Sequence, residues 1–194
     1  MRKFYGCFKK QIFFYKICIV GDGGVGKTTI LHQYVDRKFV EDTQMTIGTN
    51  FFLKNIILKE FDISIKLQIW DLGGQDYFAA VRRNFYDGAR GIIYTFDLTR
   101  KSSFTNLTEW RNEIKEGLEE GFSRVLVGNK LDLINEEDRL INLEDVFLMK
   151  EQLSVSEYIE TSAKNNTRID NAFRRLAIDI YKKSTSKINR FNSD

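Results

Sequence analysis

Residues 21–28 read GDGGVGKT and fit the phosphate-binding pattern GxxxxGK[ST] at Gly21, Gly26, Lys27 and Thr28. Glycines let successive backbone N–H groups turn toward an anion because no side chain stands in the way. Lys27 can then reach the β- and γ-phosphates, and the Thr28 hydroxyl is placed to ligate Mg²⁺. An apolar, strand-like run precedes the loop and a helical pattern follows it. This context favours binding of a nucleoside phosphate over an ordinary glycine-rich turn.

Strand-like and helical patterns alternate along the chain. Strand-like runs lie near 12–20, 50–59, 63–70, 91–97, 123–128 and 156–160. Helical patterns lie near 27–36, 76–86, 103–118, 142–152 and 167–183. A short polar link joins the second and third strand-like runs, which predicts an antiparallel hairpin at one edge, whereas the continuous apolar runs are typical of parallel strands covered on both faces. The sequence therefore predicts a doubly wound α/β fold, with a six-stranded, mostly parallel sheet, one antiparallel edge strand and about five flanking helices.

Length and composition fit a single domain with short ends. The 194 residues carry a net charge of +3, too weak to suggest nucleic-acid binding. We expect a basic and aromatic N-terminal extension at 1–11, the domain at 12–183 and a flexible tail at 184–194. No apolar run approaches the ~18 residues of a membrane helix and no secretory signal is visible. A cytoplasmic protein with at most peripheral membrane contact is expected, and a solvated extension is favoured over one acylated at Cys7.

A second group of residues follows the third strand-like run, where Asp71 opens the segment DLGGQ. An aspartate at a strand end beside a phosphate-binding loop is the usual support for Mg²⁺. Gly74 can offer an unobstructed N–H to a γ-phosphate, and Gln75 can orient an attacking water. Thr46 could close over the metal and the γ-phosphate, although most loop threonines only cap or turn. The predicted metal ligands are Thr28, Thr46 and Asp71, and the predicted catalytic residues are Gln75, Lys27 and Thr46.

Two further segments concern the base of the nucleotide. NKLD begins at Asn129 and ETSAK contains Ala163, and each follows a strand-like run. The Asp132 carboxylate can accept both donors of a guanine edge, while Asn129 bonds the opposite edge and ties neighbouring loops together. The Ala163 N–H can donate to O6 of guanine and the Lys130 stem can cover the ring. Adenine would leave Asp132 unpaired, at a cost of about 1–3 kcal/mol or more. The predicted nucleotide is GTP or GDP.

These motifs, in this order on so short a chain, resemble a small GTPase of the Ras superfamily over about residues 12–183. TIGTNF at 46–51, WDLGGQ at 70–75 and ETSAK are most similar to the Rab family. Ras and Rab proteins usually have DTAGQE where this chain has DLGGQD. The paired glycines in this segment instead resemble those of Arf proteins. The resemblance implies the P-loop G-domain fold, GTP hydrolysis and Mg²⁺ as cofactor.

The resemblance also implies roles for residues that the motifs alone do not assign. Phe39 would stack edge-on against the guanine. An effector surface would include Phe51, Trp70 and Phe85 together with Ile47, although simple burial could also explain the aromatic side chains. The complete set of candidate nucleotide-binding residues is Gly23, Gly24, Val25, Gly26, Lys27, Thr28, Thr29, Phe39, Thr46, Gly74, Asn129, Lys130, Asp132, Ser162, Ala163 and Lys164.

The sequence thus predicts a monomeric GTP-binding switch that hydrolyses GTP slowly and presents GTP-dependent regions to effectors, in membrane trafficking or signalling. An exchange factor and an activating protein are expected partners. The activating protein would supply an arginine, because no helical insertion would supply one in cis and Gly23 leaves room for it. Two alternatives stay open: a module that binds GTP without hydrolysing it, and a nucleoside or nucleotide kinase. The end KINRFNSD contains no cysteine, so prenylation is not expected.

Overall fold

A computed structural model describes residues 10–40, 45–75, 79–118, 121–135, 137 and 139–191. Parts of the predicted extension, second helix and tail (1–9, with Cys7, 76–78 and 192–194) lie outside the described residues. The strands are β1 (Gln11–Val20), β2 (Thr49–Leu58), β3 (Ile63–Leu72), β4 (Ala89–Asp97), β5 (Ser123–Asn129) and β6 (Glu157–Glu160). The α-helices are α1 (Lys27–Asp36), α2 (Ala79–Tyr86), α3 (Lys101–Thr105), α4 (Leu107–Gly117), α5 (Leu143–Leu153) and α6 (Ile169–Phe191).

The six strands form one sheet in the order β2-β3-β1-β4-β5-β6. Only β2 pairs antiparallel, with β3, while all other neighbours are parallel. The predicted fold class and its antiparallel edge strand are confirmed. Because β1 lies between β3 and β4, the chain crosses over on opposite sides of β1. The loop after β1 therefore lies at the topological switch point, where α/β sheets bind their ligands.

Separate apolar clusters cover the two faces of the sheet. Along β1 the side chains alternate, so that Ile17 and Ile19 pack with α1 and α6, whereas Cys18 and Val20 pack with α2, α4 and α5. This alternation follows from the two-residue period of a strand. Burial raises the pKa of the Cys18 thiol to about 12, so Cys18 serves as a small apolar core residue.

The helical pattern at 103–118 forms two helices instead of one. Asn106 separates α3 from α4, and its backbone N–H donates to the Ser102 carbonyl at 2.9 Å. Asn106 keeps helical dihedral angles, so the two helices follow one another almost without a break. Together they occupy the place of one of the five predicted helices.

α6 continues well past residue 183, where the sequence pattern predicted its end. The segment from Ser184 to Phe191 contains neither glycine nor proline, so nothing in it stops a helix. The Ser184 hydroxyl also lies 2.9 Å from Tyr15 Oη, which ties this part of α6 to β1. In the part of the chain that the structure describes, no helix has both the length and the apolar character needed to cross a bilayer.

Phe173 anchors α6 against α1 and provides a test of the core. Its ring stacks on Tyr34, with centroids 3.9 Å apart, and its side chain is fully buried. We expect Phe173→Ala to lower the free energy of unfolding by about 3–5 kcal/mol, because it leaves a cavity in the core. Urea unfolding followed by circular dichroism measures this loss. Lys182→Ala, at an exposed position of the same helix, should change the free energy of unfolding by less than about 0.5 kcal/mol. Equal losses in the two variants would contradict the assignment of Phe173 to the core.

Candidate nucleotide-binding site

The phosphate-binding loop 21–28 connects β1 to α1 at the switch point of the sheet. Gly26 precedes α1 with a φ of 93°, and a Cβ at this position would lie 2.4 Å from Asn129 Nδ2. Only glycine fits this position, because both the backbone conformation and the close neighbour exclude a side chain. Among the described residues no side chain caps the N-terminus of α1. The first N–H groups of a helix favour an anion, so the loop that leads into α1 is suited to bind one.

The Lys27 side chain is buried beneath the loop. Its ammonium donates to the carbonyl oxygens of Gly21, at 2.6 Å, and Asp22, at 2.9 Å. Burial lowers the pKa of Lys27 to about 8, although the Asp71 and Asp22 carboxylates act in the opposite direction. A bound phosphate, as a nearby negative charge, would favour the ammonium form. The loop thus holds its cation in place at the centre of an anion site.

The three predicted metal ligands lie together at the edge of the loop. Thr28 Oγ1 donates to Asp71 Oδ2 at 2.6 Å and lies 2.8 Å from Thr46 Oγ1. Asp71 is fully buried, and its Oδ1 has no hydrogen-bond partner among the described residues. Burial raises the pKa of Asp71, against the stabilising hydrogen bond from Thr28.

This oxygen-only set fits Mg²⁺. Mg²⁺ is usually held by few protein oxygens together with waters and substrate phosphates. The free Oδ1 of Asp71 leaves an acceptor for such a water. Within the described ranges no cluster of three His, Cys, Asp or Glu side chains suits a metal ion.

The segment after β3 packs directly on the phosphate-binding loop. A Cβ at Gly74 would lie 2.4 Å from the Gly23 nitrogen and 2.7 Å from the Gly21 oxygen, so the contact requires glycine. Gln75 points its Nε2 at Met45 Sδ, 3.1 Å away. The three predicted catalytic residues, Gln75, Lys27 and Thr46, line one cavity of about 50 Å³. The complete lining is Gly23, Gly24, Gly26, Lys27, Thr28, Met45, Thr46, Gly74 and Gln75.

A second cavity, of about 410 Å³, adjoins the first at Gly24 and Gly26. Its lining is Gly24, Gly26, Thr29, Phe39, Asn129, Lys130, Asp132, Leu133, Ala163 and Lys164. The structure thus brings residues of the NKLD and SAK segments together in one cavity and adds Leu133, which no sequence motif indicated. Val25 and Ser162 line neither cavity and act as supports: the Val25 carbonyl accepts from Asn129 Nδ2, and Ser162 Oγ donates to Asp132 Oδ1 at 2.5 Å.

Asn129 joins the loops around the second cavity. Its Nδ2 donates to the Val25 carbonyl at 3.0 Å, and its Oδ1 accepts from Thr161 Oγ1 at 3.1 Å and the Ala163 N–H at 3.2 Å. The Ala163 N–H, predicted to donate to O6 of guanine, is therefore engaged with Asn129 in the structure. A base must share or displace that bond.

Lys130 lines the second cavity and has a left-handed backbone conformation, with a φ of 69°. Its ammonium pairs with Asp97 Oδ2 at 2.7 Å. Burial opposes ionisation of Asp97, but Lys130 and the donors of Thr99 outweigh it and hold the pKa of Asp97 below its usual value. The charged end of Lys130 is thereby fixed and its aliphatic stem is left to face the cavity.

A family model described as the Ras family matches residues 16–182. The chain belongs to the Ras family. It is 39% identical over 168 residues to Ras-related protein Rab-1D of Dictyostelium discoideum, covering 87% of this chain and 80% of the relative. It is 38% identical over 175 residues to Rab-11C of the same organism, covering 90% and 76%, and 35% identical to RIC1 of Oryza sativa subsp. japonica, covering 90% and 84%. The chain is a Rab-like GTPase, as the resemblance indicated.

In this Ras-family protein the phosphate-binding loop is also held from its outer side, which the sequence did not predict. The Asp22 carboxylate accepts from Asn106 Nδ2 and Trp110 Nε1, both at 2.9 Å. Arg100 Nη2 donates to the Gly23 carbonyl at 2.7 Å. These partners lie 77–88 residues from the loop in sequence. The only local signal was the charged Asp22 inside a glycine-rich segment.

Three of the four candidate effector residues, Phe51, Trp70 and Phe85, form a row of aromatic rings. The Trp70 ring lies 5.3 Å from the Phe51 ring and 5.2 Å from the Phe85 ring, measured between centroids. Phe51 is 47% exposed and Ile47 is 81% exposed, whereas Trp70 and Phe85 are half-buried. Burial in the core therefore does not account for Phe51 and Ile47.

We expect Asn129→Ala to speed dissociation of GDP from the Rab-like GTPase about tenfold or more. The substitution removes three hydrogen bonds that fix the loops around the nucleotide, and one unsatisfied buried group costs about 1–3 kcal/mol. Displacement of a fluorescent GDP analogue by excess GDP measures the rate. Asn165→Ala, an exposed asparagine of the SAK loop, is the matched control. Equal dissociation rates in the two variants would argue against the assigned role of Asn129.

Proposed function

We propose that this Ras-family GTPase is a timed switch that hydrolyses GTP slowly on its own and presents its switch segments to effectors only while GTP is bound. One observation supports this most directly: Thr28 and Thr46, which both contact Asp71, line the same cavity as Lys27 and Gln75. The adjoining cavity, with Asp132 in its lining, favours guanine as the base.

The proposed hydrolysis relies on positioning and charge neutralisation. The hydroxyls of Thr28 and Thr46 would hold Mg²⁺, supported by Asp71, and the bound metal would neutralise charge on the β- and γ-phosphates. Lys27 would lie against the same phosphates, and Gln75 would align the attacking water. Without an activating protein the rate expected for such a site is on the order of 10⁻⁴–10⁻³ s⁻¹.

The same contacts would make the switch depend on the γ-phosphate. Thr46 reaches the metal site from the loop before β2, and Gly74 packs on the phosphate-binding loop from the end of β3. Loss of the γ-phosphate would remove the ligand that both segments share, and both would loosen. The proposed effector surface, which consists of Ile47 and the aromatic row of Phe51, Trp70 and Phe85, would then change shape with the bound nucleotide.

The similarity to Rab proteins supports a proposed setting for the switch. The GTPase would work as a monomer with an exchange factor, an activating protein and effectors, in the cytoplasm with at most peripheral membrane contact, in trafficking or signalling. A module that binds GTP without hydrolysing it is the second candidate. The contact of Gln75 with Met45 Sδ favours it, because that contact must break before Gln75 can orient a water. An assay of phosphate release from bound GTP separates the two.

The role of Gln75 is tested by Gln75→Leu. We expect single-turnover GTP hydrolysis to slow severalfold or more while GTP affinity is retained, because only the group that orients water is lost. Release of phosphate from preloaded protein measures the rate. Gln68→Leu makes the same change at an exposed position of β3 and should leave the rate unchanged. Unchanged hydrolysis in Gln75→Leu would refute the assigned role.

The effector surface is tested in the GTP-locked Gln75→Leu background. Adding Phe51→Ala should reduce the amount of protein captured from a lysate in a GTP-dependent manner at least severalfold, because an exposed aromatic anchor is removed. Quantitative mass spectrometry of the captured proteins provides the measurement. Phe147→Ala, which removes a 61% exposed ring on α5, is the control. If the two variants capture the same GTP-dependent partners equally, this surface is not the docking site.

A further inference from the structure

Arg82 on α2 is buried against the segment that carries Gln75. Only 3% of the residue is exposed, and all three of its side-chain nitrogens are engaged. Nη1 donates to the carbonyl oxygens of Gly73, at 2.9 Å, and Gln75, at 2.6 Å. Nε and Nη2 donate to the two carboxylate oxygens of Glu113 on α4, at 2.9 Å and 2.6 Å. The guanidinium therefore bridges α4 to the backbone on both sides of Gly74.

The two carbonyls that Arg82 holds flank the residue that contacts the phosphate-binding loop. Gly74 is pressed against Gly21 and Gly23 on one side. Arg82 acts from the other side, through the carbonyls of Gly73 and Gln75. The backbone of residues 73–75 is thus held between the phosphate-binding loop and α4. The Cα atom that carries the Gln75 side chain is therefore fixed in position.

The loop and the Gln75 segment share α4 as their anchor. Trp110 donates to the Asp22 carboxylate from one turn of α4, and Glu113 holds Arg82 from the next turn. The Arg82 guanidinium also lies 4.3 Å from the centre of the Trp110 ring. Trp110 and Glu113 lie three residues apart and so occupy one face of the helix. Relative movement of the loop and the Gln75 segment is limited because both are attached to this face.

We propose that Arg82, held by Glu113, is a positioning residue for GTP hydrolysis that keeps Gly74 and Gln75 in the conformation in which Gln75 aligns water. The inference rests on the proposed role of Gln75. Because its nitrogens are committed to Glu113 and to two carbonyls, Arg82 does not replace the arginine expected from an activating protein. It acts through the backbone of Gln75 and sets the rate at which the GTPase hydrolyses GTP unaided.

Arg82→Lys tests the proposal with the charge retained. A lysine has a single nitrogen and cannot bridge Glu113 to two carbonyls as a planar guanidinium does. We expect the single-turnover rate to fall about tenfold, because small misplacement of a catalytic group is costly, while GTP and GDP affinities stay within about twofold. Arg83→Lys is the matched control, because Arg83 pairs with Glu116 across the same two helices at the surface. An unchanged rate in Arg82→Lys, or an equal loss in Arg83→Lys, would overturn the proposal.

A second variant controls for a folding defect. Such a defect could arise in Arg82→Lys because a change to one member of a buried ion pair leaves the other charge poorly paired. The double variant Arg82→Met with Glu113→Gln removes both charges and keeps an acceptor for Tyr86 Oη, which donates to Glu113. Its thermal unfolding temperature verifies the fold. We expect the folded double variant to hydrolyse GTP as slowly as Arg82→Lys. Hydrolysis at the unmodified rate would reject the positioning role.

A double-mutant cycle with Gln75→Leu separates this inference from the proposed function. If Arg82 acts through Gln75, Arg82→Lys causes no further loss in the Gln75→Leu background. A further loss of the same factor shows that Arg82 acts independently of Gln75 and overturns the inference alone. Undiminished hydrolysis in Gln75→Leu itself rejects the proposed catalytic role, and the inference with it.

Discussion

The hydrogen bonds of Asn129 hold two other segments in one geometry at the end of β5, and the nucleotide site depends on them. One amide reaches the phosphate-binding loop through Val25, and the segment after β6, which contains SAK, through Thr161 and Ala163. The Asn129 amide group also lies where a side chain at Gly26 would be, so the loop needs glycine at that position. The first and second cavities are adjacent because Asn129 fixes the loops between them.

A different anchor orders the end of the site that contains Gln75. There α4 holds Asp22 through Trp110 and the Gln75 segment through Glu113 and Arg82. The end that contains Asp132 is therefore fixed by one side chain between loops, whereas the end that contains Gln75 is fixed by a helix. This distinction explains why changes at Asn129 should affect retention of the nucleotide and changes at Arg82 its hydrolysis.

Much of the fold and of the site could be predicted from the sequence, because both leave local patterns. Apolar runs that alternate with helical patterns predicted the six strands. The phosphate-binding loop, DLGGQ and NKLD motifs predicted the places of Lys27, Asp71 and Asp132. The contacts of Asp22 and Arg82 could not be found this way, because their partners are distant in the chain and belong to no short motif. The end of α6 was missed because the apolar pattern fades near residue 183 while the backbone has no reason to stop being helical there. Tertiary contacts, rather than local sequence, determine the positions of Asp22 and Arg82.

The start of β1 packs against the C-terminal part of α6, at the edge of the sheet opposite the phosphate-binding loop. Parallel strands begin at one edge of the sheet and end at the other, and the phosphate-binding loop follows the end of β1. α6 runs in the opposite direction, so that Tyr181 meets Phe13 and Ser184 meets Tyr15 near the start of that strand. The start of β1 and the C-terminal end of α6 both lie at the edge remote from the phosphate-binding loop. A fluorophore or a surface tether attached at this edge, for example at the exposed Lys10, would leave the phosphate-binding loop facing solution, which makes immobilised single-molecule experiments practical for this GTPase.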